Sequence, residues 1–289
     1  MTLEHLPASL PQVATSLNYL APMQEPVCTW TYDPPHGGPR FNGQLQAHAV
    51  TVHDARPIRE QLDLDVHGFV LADAASAVRD FWDEDELRST CYPEAAALLC
   101  RLTAGTSALV FDHTLRRRAP GRPPLDGAGG SFASVRTPVG RVHADYTPVS
   151  APQRLRQLLG VPAAERRLRS RYMIVGLWRP TLTTPLLDAP LALADARSVG
   201  AHDLVRNELI YPNRRGETYV GVYSPHHRWH YFARQRRDEV IVFKNFDSVA
   251  SELGVAAVAP HSAFEDPTAP ADAPPRESLE LRAFVFFDE

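Results

Sequence analysis

The sequence predicts a mainly β protein of the α+β class, its strands closing into a sandwich, a barrel or a jelly roll with helices packed outside. Three observations carry this. From residue 170 onward the chain is a succession of short segments rich in Val, Ile, Tyr, Phe and Trp, separated by turn residues. Helical periodicity, with apolar residues three and four apart, is confined to residues 73–105 and 150–160. No repeat period and no clean linker divides the 289 residues, a length that one large β-rich unit commonly occupies.

In chain order, residues 1–24 hold several prolines and little pattern, and are expected to form an N-terminal arm laid over the domain or partly disordered. Residues 25–289 are expected to form a single domain. "PVCTWTYD" (26–33) and "GQLQAHAVTVHDAR" (43–56) alternate apolar and polar residues, as half-buried strands do. "DAASAVRDFW" (73–82) and "DEDELRSTCYPEAAALLCRLTAG" (83–105) have helical spacing, with Asp83 to Asp85 suited to a helix start and Gly105 to a stop. "TSALVFDHTLR" (106–116) is strand-like and runs into a stretch dense in Pro, Gly and Arg, so residues 116–140 are expected to form a flap. Its arginines either catch an anionic substrate or only keep the loop in water. "TPVGRVHADYT" (137–147) predicts a short strand, and "SAPQRLRQLLG" (150–160) a helix with Ser150 as N-cap and Gly160 at its end. Seven further strands are expected within 170–180, 190–199, 217–224, 228–234, 238–248, 254–264 and 276–287.

Composition narrows the function classes. Hydrophobic residues make up 44% and charged residues 22%, and the formal net charge is −4, so no global field draws the chain to nucleic acid or an anionic membrane. The expected partner is a small molecule, with the oligomeric state left open. Cys28, Cys91 and Cys100 are three, with no CxxC pair, which suggests neither a disulfide framework nor a thiolate zinc site. With no signal-like start and no apolar run of membrane-spanning length, a cytoplasmic location is expected.

His143 and Asp145, two apart, point to the same face of a strand and can converge on one ion. With 12 histidines in the chain, such a triplet is also an ordinary chance occurrence. A third ligand has to come from the end of a late strand. His5 lies in the arm, His36 in a turn, and His48, His53, His67 and His113 in framework segments. His226, His227 and His230 cluster without a paired carboxylate, which fits exposed imidazoles at a strand end better than a second metal site. His261 ends an apolar stretch before a turn and has the right setting. Two histidines and one carboxylate leave three octahedral positions open, the arrangement of non-haem Fe(II) oxygenases. Arg276 and Ser278, again two apart at the start of the last strand, suit the distal carboxylate of a dicarboxylic acid, with Arg282 as the competing candidate.

His143-x-Asp145, His261 and Arg276-x-Ser278, in that order, resemble the motif of the Fe(II)/2-oxoglutarate-dependent oxygenases. "LDVHGFVL", "YPEAAALLCRLTAG", "FDHTLR", "VHADYT", "LWRP", "PLALADARSV", "HYFARQRRDEVIVFKNFDS" and "PHSAFEDP" extend the similarity over about residues 25–287. They resemble the subgroup of fungal aspergillic-acid-type hydroxylase/desaturases, gibberellin-desaturase-like proteins and the cephem 7-alpha-methoxylase component. The resemblance implies a double-stranded β-helix (jelly-roll, cupin-like) core with flanking helices. It implies Fe(II) at His143, Asp145 and His261, 2-oxoglutarate as co-substrate at Arg276 and Ser278, O2, and no catalytic residue beyond the metal centre. The implied activity is C–H oxidation of a small molecule in natural-product biosynthesis, by hydroxylation, desaturation or oxidative cyclisation, with succinate and CO2 as co-products. The subgroup's pattern places an asparagine where Gly176 stands, so contacts on that strand do not carry over. Tyr146, Trp178 and Phe264 stand near the motif residues, where they either line a substrate pocket or pack the core. A catalytically silent jelly-roll ligand-binding protein, or a cupin-like metalloenzyme without 2-oxoglutarate, are the alternatives; neither requires Arg276 and Ser278.

Overall fold

The computed structural model describes residues 10–35, 37–119, 121, 123, 125, 131, 132 and 135–287. The first strands are β1 (Gln12–Leu20), β2 (Val27–Trp30), β3 (Leu45–Asp54), β4 (Phe69–Asp73), β5 (Ser107–Arg117), β6 (Ser131–Phe132), β7 (Val135–Arg136) and β8 (His143–Ala144). There follow β9 (Tyr172–Pro180), β10 (Leu191–Ala194), β11 (Leu204–Ile210), β12 (Arg215–Gly221), β13 (Trp229–Tyr231), β14 (Glu239–Asp247), β15 (His261–Ala263) and β16 (Glu277–Phe286). One sheet runs β1-β3-β13-β10-β15-β8-β12-β11-β2, the other β4-β14-β9-β16-β5-β7-β6. The chain is thus mostly β, and its two mixed sheets curl into a jelly roll. Trp178, Ile241 and Phe243 of one sheet pack between the layers against Leu191 and Leu193 of the other.

The period-2 rule decides what faces the interior. Along β16, Leu279, Leu281, Ala283 and Val285 pack outward on Ala95, Leu98 and Leu99 of the helix Tyr92–Thr103. Ser278, Glu280 and Arg282 alternate with them and point into the roll.

Several elements differ from expectation for local physical reasons. Residues 12–20, expected as part of an arm, form β1 and pair along their length with β3; residues 1–9 lie outside the described residues. The stretch 73–82 makes no helix, because its amides are taken by acids of the next segment. Ala77 N–H donates to Glu94, and Arg79 and Asp80 N–H to Glu86. The helix after Asp83 forms as expected, the Asp83 carboxylate accepting from the amides of Asp85 and Glu86, but a π turn over Leu87–Cys91 precedes Pro93, which lacks an amide to donate. Ser150 is not the N-cap: Thr147 Oγ1 accepts from the amides of Val149 and Ser150, while Gly160 closes the helix at φ 73° as expected. β11 and the helix Val161–Arg167 carry no clean apolar period and were not expected. Of the stretch 254–264 only His261–Ala263 is strand; the residues before it are laid across β14, where Ala259 N–H donates to the Lys244 carbonyl.

Part of the expected flap, residues 120, 122, 124, 126–130, 133 and 134, lies outside the described residues. Of its arginines, Arg116 donates to the Thr137 carbonyl, Arg117 pairs with Glu277 over the Trp82 ring, and Arg118 is buried against Asp188 and Glu265. These three are structural ties.

The departure at Gly176 has a packing cause. A Cβ there would stand 2.3 Å from Phe243 Cζ, and the Phe243 ring is fully buried, with its centroid 4.6 Å from that of His261. Gly176→Ala is therefore expected to cost about 1–3 kcal/mol, as overpacked cores do, read as a lower urea midpoint with an unchanged slope.

Candidate metal centre

β8 lies between β12 and β15, and its pairing with β15 sets His143 directly opposite His261. The two ring centroids are 4.4 Å apart. Asp145 follows two residues on, its Oδ1 3.8 Å from His143 Nε2. One candidate donor atom from each of the three residues lies within 4.8 Å of the others, and no other such group occurs among the described residues.

Backbone carbonyls orient both rings. His143 Nδ1 faces the Arg141 carbonyl at 2.9 Å and His261 Nδ1 the Ala259 carbonyl at 3.2 Å. A ring nitrogen facing a carbonyl carries the proton, which leaves each Nε2 with its lone pair. His261 Nε2 is buried and has no hydrogen-bond partner among the described residues, a costly arrangement unless a ligand takes the lone pair. Burial holds the His143 imidazole down, to about 3, with the neighbouring His261 ring adding to the effect. Burial alone would raise the Asp145 carboxyl, but the Arg282 guanidinium, donating to it at 2.6 Å, holds it well below the usual range. Two neutral imidazoles and one carboxylate on one side of a point suit a divalent first-row metal with open positions.

The two candidate arginines separate clearly. Arg282 is committed to Asp145, Asp112 and Glu280. Arg276, 2% exposed, donates from Nε to Ser278 Oγ at 3.0 Å and from Nη1 to the Ala189 carbonyl at 2.8 Å, over the Trp178 ring. Among the described residues no carboxylate pairs with its guanidinium; Asp188 accepts only its backbone N–H. Burial pushes that guanidinium down, to about 9, so an anion bound beside it would relieve a buried charge. Arg118, from the Pro-rich stretch, holds Asp188 in place; sequence spacing carries no signal for this prop.

Of the three aromatics, Tyr146 lines two cavities, of about 370 Å³ and 730 Å³. Trp178 lies beneath Arg276, its Nε1 buried and unpartnered among the described residues. Phe264 is a correction: it packs against Tyr231 in the cluster holding Ala192, Ala194 and Trp229, while Leu191 and Leu193 of the same strand face the interior. It therefore sits on the opposite face of the sheet from the site.

The cluster His226, His227 and His230 forms no ligand group among the described residues. His227 sits between Tyr19 Oη and Asp203, and His230 is buried beside His53. Burial pushes the His230 imidazole down to about 4. Between that value and the ordinary 6.5 the unfolded chain binds a proton that the folded one does not, so stability falls as pH falls through this window. For the metal-free protein, thermal unfolding against pH is expected to show a loss of ~3 kcal/mol from this group, and His230→Leu to remove that share of the slope.

A family profile described as an oxidoreductase/YMDC permease-like domain matches residues 17–286. The chain is 34% identical over 260 residues to the Fe(II)/2-oxoglutarate-dependent dioxygenase nvfI of Aspergillus novofumigatus, covering 88% of each chain. It is 30% identical over 294 residues to the hydroxylase/desaturase efuI of Hormonema carpetanum, covering 96% of each. Its fold superposes on a solved iron and alpha-ketoglutarate-dependent endoperoxidase, NvfI, with a TM-score of 0.83 and 29% identity over 96% of this chain and 99% of that one. No described helix is long and apolar enough to cross a membrane. With a jelly roll, a His-Asp-His cluster and relatives of this kind along nearly its whole length, the chain belongs to the Fe(II)/2-oxoglutarate-dependent dioxygenases and hydroxylase/desaturases, enzymes that use Fe(II), 2-oxoglutarate and O2.

Proposed function

We propose that His143, Asp145 and His261 hold the Fe(II), and that Arg276 and Ser278 anchor the far carboxylate of 2-oxoglutarate. The chain from β1 onward acts as one catalytic domain that oxidises a C–H bond of a small molecule of natural-product biosynthesis, in the cytoplasm and without nucleic acid or membrane. The observation that carries this reading is the convergence of three donor atoms within 4.8 Å, one of them the unpaired His261 Nε2. When bound, Fe(II) supplies the oxidising chemistry with O2 and 2-oxoglutarate, which leaves as succinate and CO2. The residues of the chain do the placing. The Arg141 and Ala259 carbonyls fix the imidazoles, Arg282 keeps Asp145 anionic, and Arg276 offers a planar fork for a carboxylate, steadied by Ser278 and Trp178. A substrate in the cavity bordered by Tyr146 presents one C–H bond to the centre, and that placement decides between hydroxylation, desaturation and ring closure.

The test is anaerobic addition of Fe(II) and 2-oxoglutarate to the metal-free protein. A visible metal-to-ligand charge-transfer band is expected. A silent ligand-binding jelly roll gives no band, and a metalloenzyme that does not use 2-oxoglutarate binds Fe(II) without it.

A further inference from the structure

We propose that Asn245 is a substrate-positioning residue. Its carboxamide hydrogen-bonds a donor and an acceptor that stand side by side, as in a lactam, on an otherwise apolar small molecule. This rests on the reading of the iron site given above and adds the chemistry of the molecule that binds beside it.

β14 pairs with β9 through Lys244 with Val175 and Phe246 with Ile174, so Asn245 is the extra residue of a β-bulge. Bulges re-aim one side chain and gather next to active sites. Two residues before it, Phe243 packs on the His261 ring. Asn245 is 0% exposed and lines the cavity of about 730 Å³ that also reaches Tyr146, the neighbour of Asp145. Neither Oδ1 nor Nδ2 of Asn245 has a hydrogen-bond partner among the described residues. Asn207, buried as deeply, shows what a structural asparagine does here: its Oδ1 accepts from Thr29 at 3.0 Å and its Nδ2 donates to Thr218 at 2.9 Å.

An unpaired buried carboxamide lowers stability, and in a folded protein such a group calls for a reason. The charged groups of the lining are committed elsewhere, Asp65 and Asp247 to Arg171 and Lys244, and Arg197 to Asp195; Tyr146, Tyr219, Ser248 and Ser251 add hydroxyls, and Val66, Val199, Leu204, Val255 and Val258 are apolar. A molecule held there by apolar contact has its rotation set by the unpaired amide, and that rotation selects which of its C–H bonds is turned toward Tyr146 and the iron site next to it. Because donor and acceptor are both unpaired, the matching group carries both.

The probes are δ-valerolactam, which presents N–H and C=O on one edge, and N-methyl-δ-valerolactam, which lacks the donor. Each is titrated into the Fe(II)- and 2-oxoglutarate-loaded enzyme under anaerobic conditions and followed by the side-chain amide signals of ¹⁵N-labelled protein. The lactam is expected to bind about three- to tenfold more tightly than its N-methyl derivative, the range one net hydrogen bond gives. Asn245→Leu is expected to reduce that preference to less than about twofold, to keep the charge-transfer band, and to raise Tm, because the unpaired carboxamide is gone. A wild-type enzyme that does not distinguish the two lactams overturns the proposal without reference to any variant. A lower Tm in Asn245→Leu also overturns it, since that marks a structural role. Absence of the band in the wild type sinks the reading of the iron site instead.

Discussion

His261→Ala is expected to abolish the charge-transfer band that Fe(II) and 2-oxoglutarate produce, and Asp145→Ala to do the same. Loss of a group that merely orients a metal ligand costs about 10- to 100-fold in affinity, so loss of a ligand itself should weaken Fe(II) binding by more than about 100-fold. The two variants differ in what they leave behind. His261 is 3% exposed and its Nε2 has no partner among the described residues, so alanine removes a donor and opens a void beside Phe243 without breaking a described hydrogen bond at Nε2. Asp145 is one of three carboxylates around Arg282, so Asp145→Ala also removes part of the charge compensation of a buried guanidinium, and Asp145→Asn is the milder companion. Anaerobic titration with Fe(II) checks both. Full-strength bands in His261→Ala and Asp145→Ala would place the metal elsewhere.

Arg276→Ala should raise the Kd for 2-oxoglutarate by about 30-fold or more, since truncating one partner of a buried charged pair costs about 2–5 kcal/mol. Ser278→Ala, which removes one neutral partner, should cost about 1 kcal/mol, roughly fivefold. Arg276→Lys should not restore the loss, because an ammonium cannot bond Ser278 and the Ala189 carbonyl and still offer a planar edge to a carboxylate. Titration of the band with 2-oxoglutarate at saturating Fe(II) separates these effects from metal loss. If Arg276→Ala binds 2-oxoglutarate normally, the carboxylate anchor is wrongly assigned.

Much of the site was legible because its chemistry sits in short spacings on strands. His143 and Asp145 share a face by the two-residue period, and so do Arg276 and Ser278. The choice between Arg276 and Arg282 was not legible. It depends on Asp145, Asp112 and Glu280 meeting around Arg282, a fact of three-dimensional proximity. Phe264 was misplaced for a related reason: nearness in sequence to His261 does not say which face of the sheet a residue takes once the strand ends at Ala263. The segment 73–82 has helical spacing, yet acids on the next helix take its amides. Asn245 carries no sequence signal as one polar residue in a buried strand; only the register slip and the hydrogen-bond positions left open among the described residues single it out.

By itself the sequence determined the β-rich class and offered His143, Asp145, His261 and the Arg276-Ser278 pair as candidates, because residue type and a period of two are local properties. Tertiary structure alone decided that β8 pairs with β15, which arginine has no carboxylate partner among the described residues, and where the cavity lies. Those depend on contacts between segments more than a hundred residues apart, whose free energy is settled by packing and charge compensation in the folded chain.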